Sequence, residues 1–149
     1  MEDRYLFKAK RADNGEWEIG SLIALPTGEY EISNKCNNPP DCDPMWDKVV
    51  ITHKVEPSTI CQCTGLKDKN GNLIWENDVV KATVRQNSLC QSSSYSDFYQ
   101  ISYQEKYCYF YLKKKNNNLL FDGNWSYYLK SIEVIGNIFD NPELLESEG

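Results

Sequence analysis

The chain has 149 residues, of which 26% are charged, and carries a formal net charge of −6 at neutral pH. One domain with a real core is expected at that length, and the acid excess speaks against generic binding to nucleic acid or anionic lipid, which need a basic surface. No apolar run reaches the roughly 20 residues that cross a bilayer, and the opening Met1-Glu2-Asp3-Arg4 lacks the basic-then-apolar pattern of a leader, so a cytoplasmic protein is expected.

Tyr5–Arg11 and Trp17–Leu25 are β-prone runs around the turn Asp13-Asn14-Gly15. Gly20 interrupts the second run, where a bulge or a close backbone approach is expected. Pro26-Thr27-Gly28 turns the chain into Glu29–Ser33, which completes an antiparallel meander. Asn34–Lys48 carries three prolines and no periodicity, and reads as a surface loop or insertion. Its Asp41, Asp43 and Asp47 lack the closing glutamate and the bend glycine of a calcium loop. Met45 and Trp46 are apolar residues in an acidic loop. They either anchor a partner or fold back onto the core, as tryptophan commonly does.

Val49–His53 and Ser58–Cys63 read as further strands parted by Glu56-Pro57. His53 has no nucleophile motif beside it. The six cysteines, Cys36, Cys42, Cys61, Cys63, Cys90 and Cys108, form no two-residue zinc knuckle. They are expected to be thiols in a reducing compartment. Cys61 and Cys63 would share one strand face, which leaves a metal or redox role as the alternative there. No metal and no cofactor is expected.

Cys61–Lys81 is the most patterned stretch. Thr64-Gly65-Leu66 bends the chain, and Asp68-Lys69-Asn70-Gly71 is a hairpin turn. Leu73-Ile74-Trp75 returns apolar bulk to the core. Glu76-Asn77-Asp78 is a second tight turn, with Asn77 suited to a left-handed conformation, and Val79–Val84 follows as a strand. This alternation recurs in small barrels, and the fold class expected is mainly β: a small SH3-like β-barrel with an amino-terminal β-meander and a short carboxy-terminal helical turn. That helical turn rests on Asn141-Pro142-Glu143, a cap, a first-turn proline and an early acid.

Between them, Asn87–Asp97 reads as a polar serine-rich loop and Phe98–Leu112 as one aromatic strand. On a regular strand Tyr103, Tyr107, Tyr109 and Tyr111 would share a face, with Cys108, Phe110 and Leu112 on the other. Lys113, Lys114 and Lys115 open a basic hairpin tip, and between residues 98 and 131 lysines outnumber acids five to two. Aromatics beside lysines suit a nucleotide or a single strand of nucleic acid; a buried aromatic strand with a solvated lysine turn is the plainer alternative.

Thr64–Lys81, TGLKDKNGNLIWENDVVK, resembles the signature of the YopX family, small proteins of phages and prophages. Phe7–Ile23 resembles that family's amino-terminal block and Glu133–Leu145 its closing block. The chain has Phe7-Lys8-Ala9 where the family usually has Phe-Arg-Gly or Phe-Arg-Ala, and Glu76-Asn77-Asp78 where it has Glu-Gly-Asp. The resemblance implies one YopX-like domain over residues 1–149, with insertions at 34–48 and 86–97, and a homo-oligomer of mobile-element origin. It brings no catalytic residue. The function expected is therefore a phage-encoded, non-enzymatic binding protein that modulates or inhibits a host system in the host cytoplasm, its target a nuclease defence complex or that complex's signalling nucleotide. The contact residues expected are Met45, Trp46, Tyr103, Tyr107, Tyr109, Tyr111, Lys113, Lys114 and Lys115. The alternatives are a single-stranded nucleic-acid module on the same tyrosines and lysines, and a carboxylate or metal enzyme using Glu76 and Asp78.

Overall fold

A computed structural model describes residues 2–35, 50–88, 91–114 and 131–146. The chain is mainly β, with two antiparallel sheets and, among the described residues, only short 3-10 turns in place of helices. It divides into two compact units, Met1–Cys63 and Thr64–Gly149. Among the described residues no helix is long and apolar enough to cross a membrane.

In the first unit β1 (Phe7–Lys10), β2 (Trp17–Ala24), β3 (Tyr30–Lys35) and β4 (Val50–Val55) pair antiparallel, each with the next. The meander expected from the turn residues is present. Alternation sends Phe7, Ala9, Leu22, Tyr30, Ile32 and Val55 into one cluster, joined by Ile60. The opposite parity puts Lys8 and Lys10 beside Trp17, with their ammonium groups 4.8 and 5.4 Å from its ring centroid.

The close approach expected at Gly20 is also present: a Cβ there would lie 2.1 Å from the carbonyl oxygen of Ser33. Beyond the meander the chain returns to its start. The Ala12 N–H donates to Lys54 O (2.9 Å), the Glu56 N–H donates to Lys10 O (2.9 Å), and Arg11 and Val55 form an isolated antiparallel bridge.

Ser58 and Thr59 are not strand. Pro57–Thr59 is a 3-10 turn, because proline suits a first helical position, and Thr59 Oγ1 accepts the Lys10 N–H (2.9 Å). β5 (Cys61–Lys67) then pairs with β1 through Gln62 and Cys61. Cys61 and Cys63 point the same way, as two-residue spacing requires, and both are buried. β6 (Leu73–Trp75) follows β5 in the hydrogen-bonded order β4-β3-β2-β1-β5-β6.

The second sheet has the order β10-β7-β8-β9, from β7 (Asp78–Ser88), β8 (Gln91–Gln104), β9 (Tyr109–Lys113) and β10 (Glu133–Asn137). Its core joins Ile74, Val80, Ala82, Tyr99, Ile101, Leu112 and Ile132. The described residues of Asn87–Asp97 are strand, not loop: β7 and β8 stay in register from Val79↔Gln100 to Ser88↔Gln91. Serine is a weak strand former by itself. Here a strand partner supplies the backbone hydrogen bonds, and Thr83 Oγ1 and Ser96 Oγ lie 2.9 Å apart across the pair. The other segment expected as an insertion, 34–48, lies outside the described residues beyond Lys35.

Candidate functional site

The site is built on the outward face of the β8–β9 hairpin. Phe98–Leu112 is not one strand. β8 ends at Gln104, residues 105–108 form a turn, and β9 starts at Tyr109. Cys108 closes that turn in a left-handed conformation, φ 55°. Four turn residues reset the alternation, so the tyrosines expected on one face are divided between two. Tyr103 pairs with Phe110 across the hairpin, rings 5.0 Å apart, on the same parity as buried Tyr99, Ile101 and Leu112. Its phenol is held above the ordinary value of 10.0, first by its hydrogen bond with the Cys108 side chain and then by partial burial.

Tyr109 and Tyr111 face the other way. The register pairs Gln104 with Tyr109, Ser102 with Tyr111 and Gln100 with Lys113, all on one face. Tyr107, 60% exposed in the turn, continues this row. Its ring stacks 6.1 Å from that of Tyr109, which meets Tyr111 edge-on at 6.3 Å. The ammonium of Lys106 lies 5.1 Å from the Tyr107 ring centroid. The result is a strip of three tyrosine rings with a lysine at each end. Lys114 is turned away from this role, as it is ion-paired with Asp97. Met45, Trp46 and Lys115 lie outside the described residues.

At the Lys113 end the strip runs into a cleft of about 330 Å³, lined by Gln100, Lys113, Ile138, Pro142, Leu145 and Glu146. Its far wall is the 3-10 turn Pro142–Leu145. That turn is set against β10 by an Asn137 side chain that accepts the N–H groups of Phe139 (3.0 Å) and Asp140 (2.9 Å). Two of the cleft's lining residues, Gln100 and Ile138, are tied together by Asn77. This residue has φ 67°, donates its N–H to Ile101 O (2.8 Å) and accepts the Ile138 N–H (3.0 Å). Its side-chain oxygen accepts from Gln100 Nε2 (3.1 Å), which orients the Gln100 amide in the cleft.

Asn77, Gln100 and Ile138 are the residues that sequence reasoning missed. The available signal was an asparagine in a tight turn that needs positive φ. Asn77→Gly is expected to keep the turn, with stability within about 1 kcal/mol of wild type, while releasing the Gln100 amide. Asn77→Val should lose about 2 kcal/mol or more to backbone strain, read by urea denaturation. Equal stability of the two variants would remove the conformational argument.

Glu76 and Asp78 flank Asn77. Asp78 is buried and its Oδ2 accepts the Trp75 N–H (2.8 Å), the turn role usual for such an acid. Glu76 is half-buried, and burial pushes its carboxyl above the ordinary 4.5. In the first unit, Glu18 gathers three neighbours: Asn34 Nδ2 at 2.7 Å, Arg11 Nη1 at 3.5 Å and His53 Nε2 at 3.8 Å. A cavity of about 280 Å³ beside it is lined by Ala12, Asp13, His53 and Lys54. No serine, threonine or cysteine lines it among the described residues. Among the described residues no group of three or more histidine, cysteine, aspartate or glutamate side chains could hold a metal ion.

The described residues thus form a two-sheet β scaffold with an aromatic strip on the β8–β9 hairpin and a mixed cleft at one end of that strip. The chain belongs to the YopX family: the family model described as YopX protein matches residues 6–146. No curated protein matches it.

Proposed function

We propose that this chain is a phage-encoded, non-enzymatic binding protein that modulates or inhibits a host system, with a nuclease defence complex or its signalling nucleotide as target. The observation that carries this reading is the row of exposed and half-exposed rings of Tyr107, Tyr109 and Tyr111 beside a walled cleft. Large, stiff, amphipathic rings held by a strand bind at small entropic cost. Nothing in the chemistry of the strip breaks or makes a covalent bond. The protein acts in the host cytoplasm, as a homo-oligomer, and needs no membrane and no cofactor.

The return of β4 to the end of β1 also supports an SH3-like barrel for the first unit, seamed by the Arg11–Val55 bridge. The Pro142–Leu145 turn is read as the helical turn that closes the family's carboxy-terminal block.

The test is capture from host lysate with wild type and with Tyr109→Ala/Tyr111→Ala. Loss of two anchoring rings should weaken capture at least about thirtyfold, at about 1–2 kcal/mol or more per ring. Capture of the same partners by both proteins would exclude this face. A second reading, a module for single-stranded nucleic acid, is favoured by Lys106 and Lys113 at the ends of the strip. It requires a gel shift that weakens steeply with salt; no shift at low salt removes it.

A further inference from the structure

The cleft beside the strip has a specific chemical composition. Ile138, Pro142 and Leu145 supply apolar walls, Lys113 a cation, Glu146 an anion and Gln100 an amide held by Asn77. Its volume of about 330 Å³ falls at the small end of ligand sites, roughly 300–1,000 Å³. A free anion would meet Glu146, a free cation would meet Lys113, and an apolar ligand would leave all three polar groups idle. A flat heterocycle with a polar edge and an anionic tail uses every wall.

We propose that this cleft binds a guanine nucleotide. The proposal rests on the reading of this face as the contact surface and names its ligand class. The base lies between Ile138, Pro142 and Leu145, its Watson–Crick edge donates to the Glu146 carboxylate, and its phosphate meets Lys113. Guanine is selected because its ring N–H and exocyclic amino group are adjacent donors that one carboxylate accepts together. Adenine and cytosine place a ring acceptor next to their amino group, which repels the second carboxylate oxygen, and uracil offers one N–H between two carbonyls. The Gln100 amide, with Nε2 engaged by Asn77, keeps its carbonyl oxygen for a further base or ribose donor. Tyr111, two residues from Lys113 on the same face of β9, supplies a stacking surface for the sugar or for a second base.

The experiment is calorimetric titration of the full chain with GMP, AMP, UMP and inorganic phosphate. GMP should bind saturably, with AMP and UMP at least about tenfold weaker, as expected for losing one charge-assisted hydrogen bond. Glu146→Gln should abolish the preference for GMP, and Lys113→Met should weaken all three nucleotides about tenfold. Both positions lie at the surface of the cleft, and far-UV circular dichroism verifies that each variant is folded. No saturable heat with GMP up to about 1 mM, equal affinity for GMP and AMP, or GMP binding unchanged in Lys113→Met would each overturn the proposal. Its failure is separable from that of the wider reading. If no nucleotide binds but lysate capture still depends on Tyr109 and Tyr111, the surface stands and the guanine site falls.

Discussion

Gly20→Ala is expected to destabilise the amino-terminal unit by more than about 3 kcal/mol, because overpacking against an immovable neighbour exceeds the usual 1–3 kcal/mol. Gly20 is buried, and the added Cβ would sit 2.1 Å from Ser33 O and 2.9 Å from Ser33 C. Both are backbone atoms of the paired strand, so no rotamer change relieves the clash. β2 and β3 must separate, and the register Ser21↔Ser33 and Leu22↔Ile32 must loosen with them. Ile32, the centre of that unit's core, would then lose its packing. With total stabilities commonly about 5–15 kcal/mol, such a loss is visible as a large fall in the urea midpoint. Gly28→Ala is the internal control: its φ is 87° and nothing lies within 4 Å, so only the left-handed penalty of about 1–2 kcal/mol applies. A Gly20→Ala protein as stable as Gly28→Ala would mean that the strand approach is not as close as described.

The second large effect is expected at Asp68. Its side chain, 6% exposed, accepts the N–H groups of Asn70 (2.9 Å), Asn72 (2.9 Å) and Val134 (3.0 Å). It thereby shapes its own hairpin turn and ties that turn to β10. Asp68→Ala leaves three donors without this acceptor, and the loss should be about 3 kcal/mol or more, since hydrogen bonds to charged groups contribute roughly 1.5–3 kcal/mol each. Burial alone would raise the Asp68 pKa, but the hydrogen bonds from Val134, Asn72 and Asn70 outweigh it and hold the carboxyl below its ordinary 3.8. The folded state thus binds this proton less readily than the unfolded state. The contribution is complete above the unfolded value and is lost as pH falls through the lower folded value. The stability gap between wild type and Asp68→Ala should be flat above about pH 5 and narrow steadily below about pH 4. A gap that persists unchanged in acid would show that the ionised carboxylate is not what holds the turn.

The candidate site was legible in part. Tyrosine beside lysine marked the β8–β9 hairpin, and Tyr107, Tyr109, Tyr111 and Lys113 do come together. Tyr103 does not join them, because residues 105–108 turn the chain and break the strand alternation. Lys114 is taken up by Asp97, seventeen positions earlier in the chain, a pairing that no local pattern announces. The cleft was not legible at all. Gln100 on β8 and Lys113 on the adjacent β9 meet Ile138, which follows β10, a strand separated from β8 by β7, and Asn77 reaches Gln100 from a turn that looked purely structural.

Cys61–Lys81 is the most patterned stretch of the chain. Its turns at Asp68 and Asn77 hydrogen-bond to Val134 of β10 and to Gln100 and Ile138 of the cleft. By itself the sequence determined what short-range chemistry controls: the turns at Asp13-Asn14-Gly15 and Asp68–Gly71, the left-handed Asn77, the meander, the paired orientation of Cys61 and Cys63, and the family. These depend on φ preferences and on two-residue alternation, which act within a few bonds. Only the tertiary structure decided that a serine-rich segment is strand, which tyrosines share a face, and which distant side chains meet in the cleft. Each of those depends on a partner far along the chain that supplies the hydrogen bonds or the second wall.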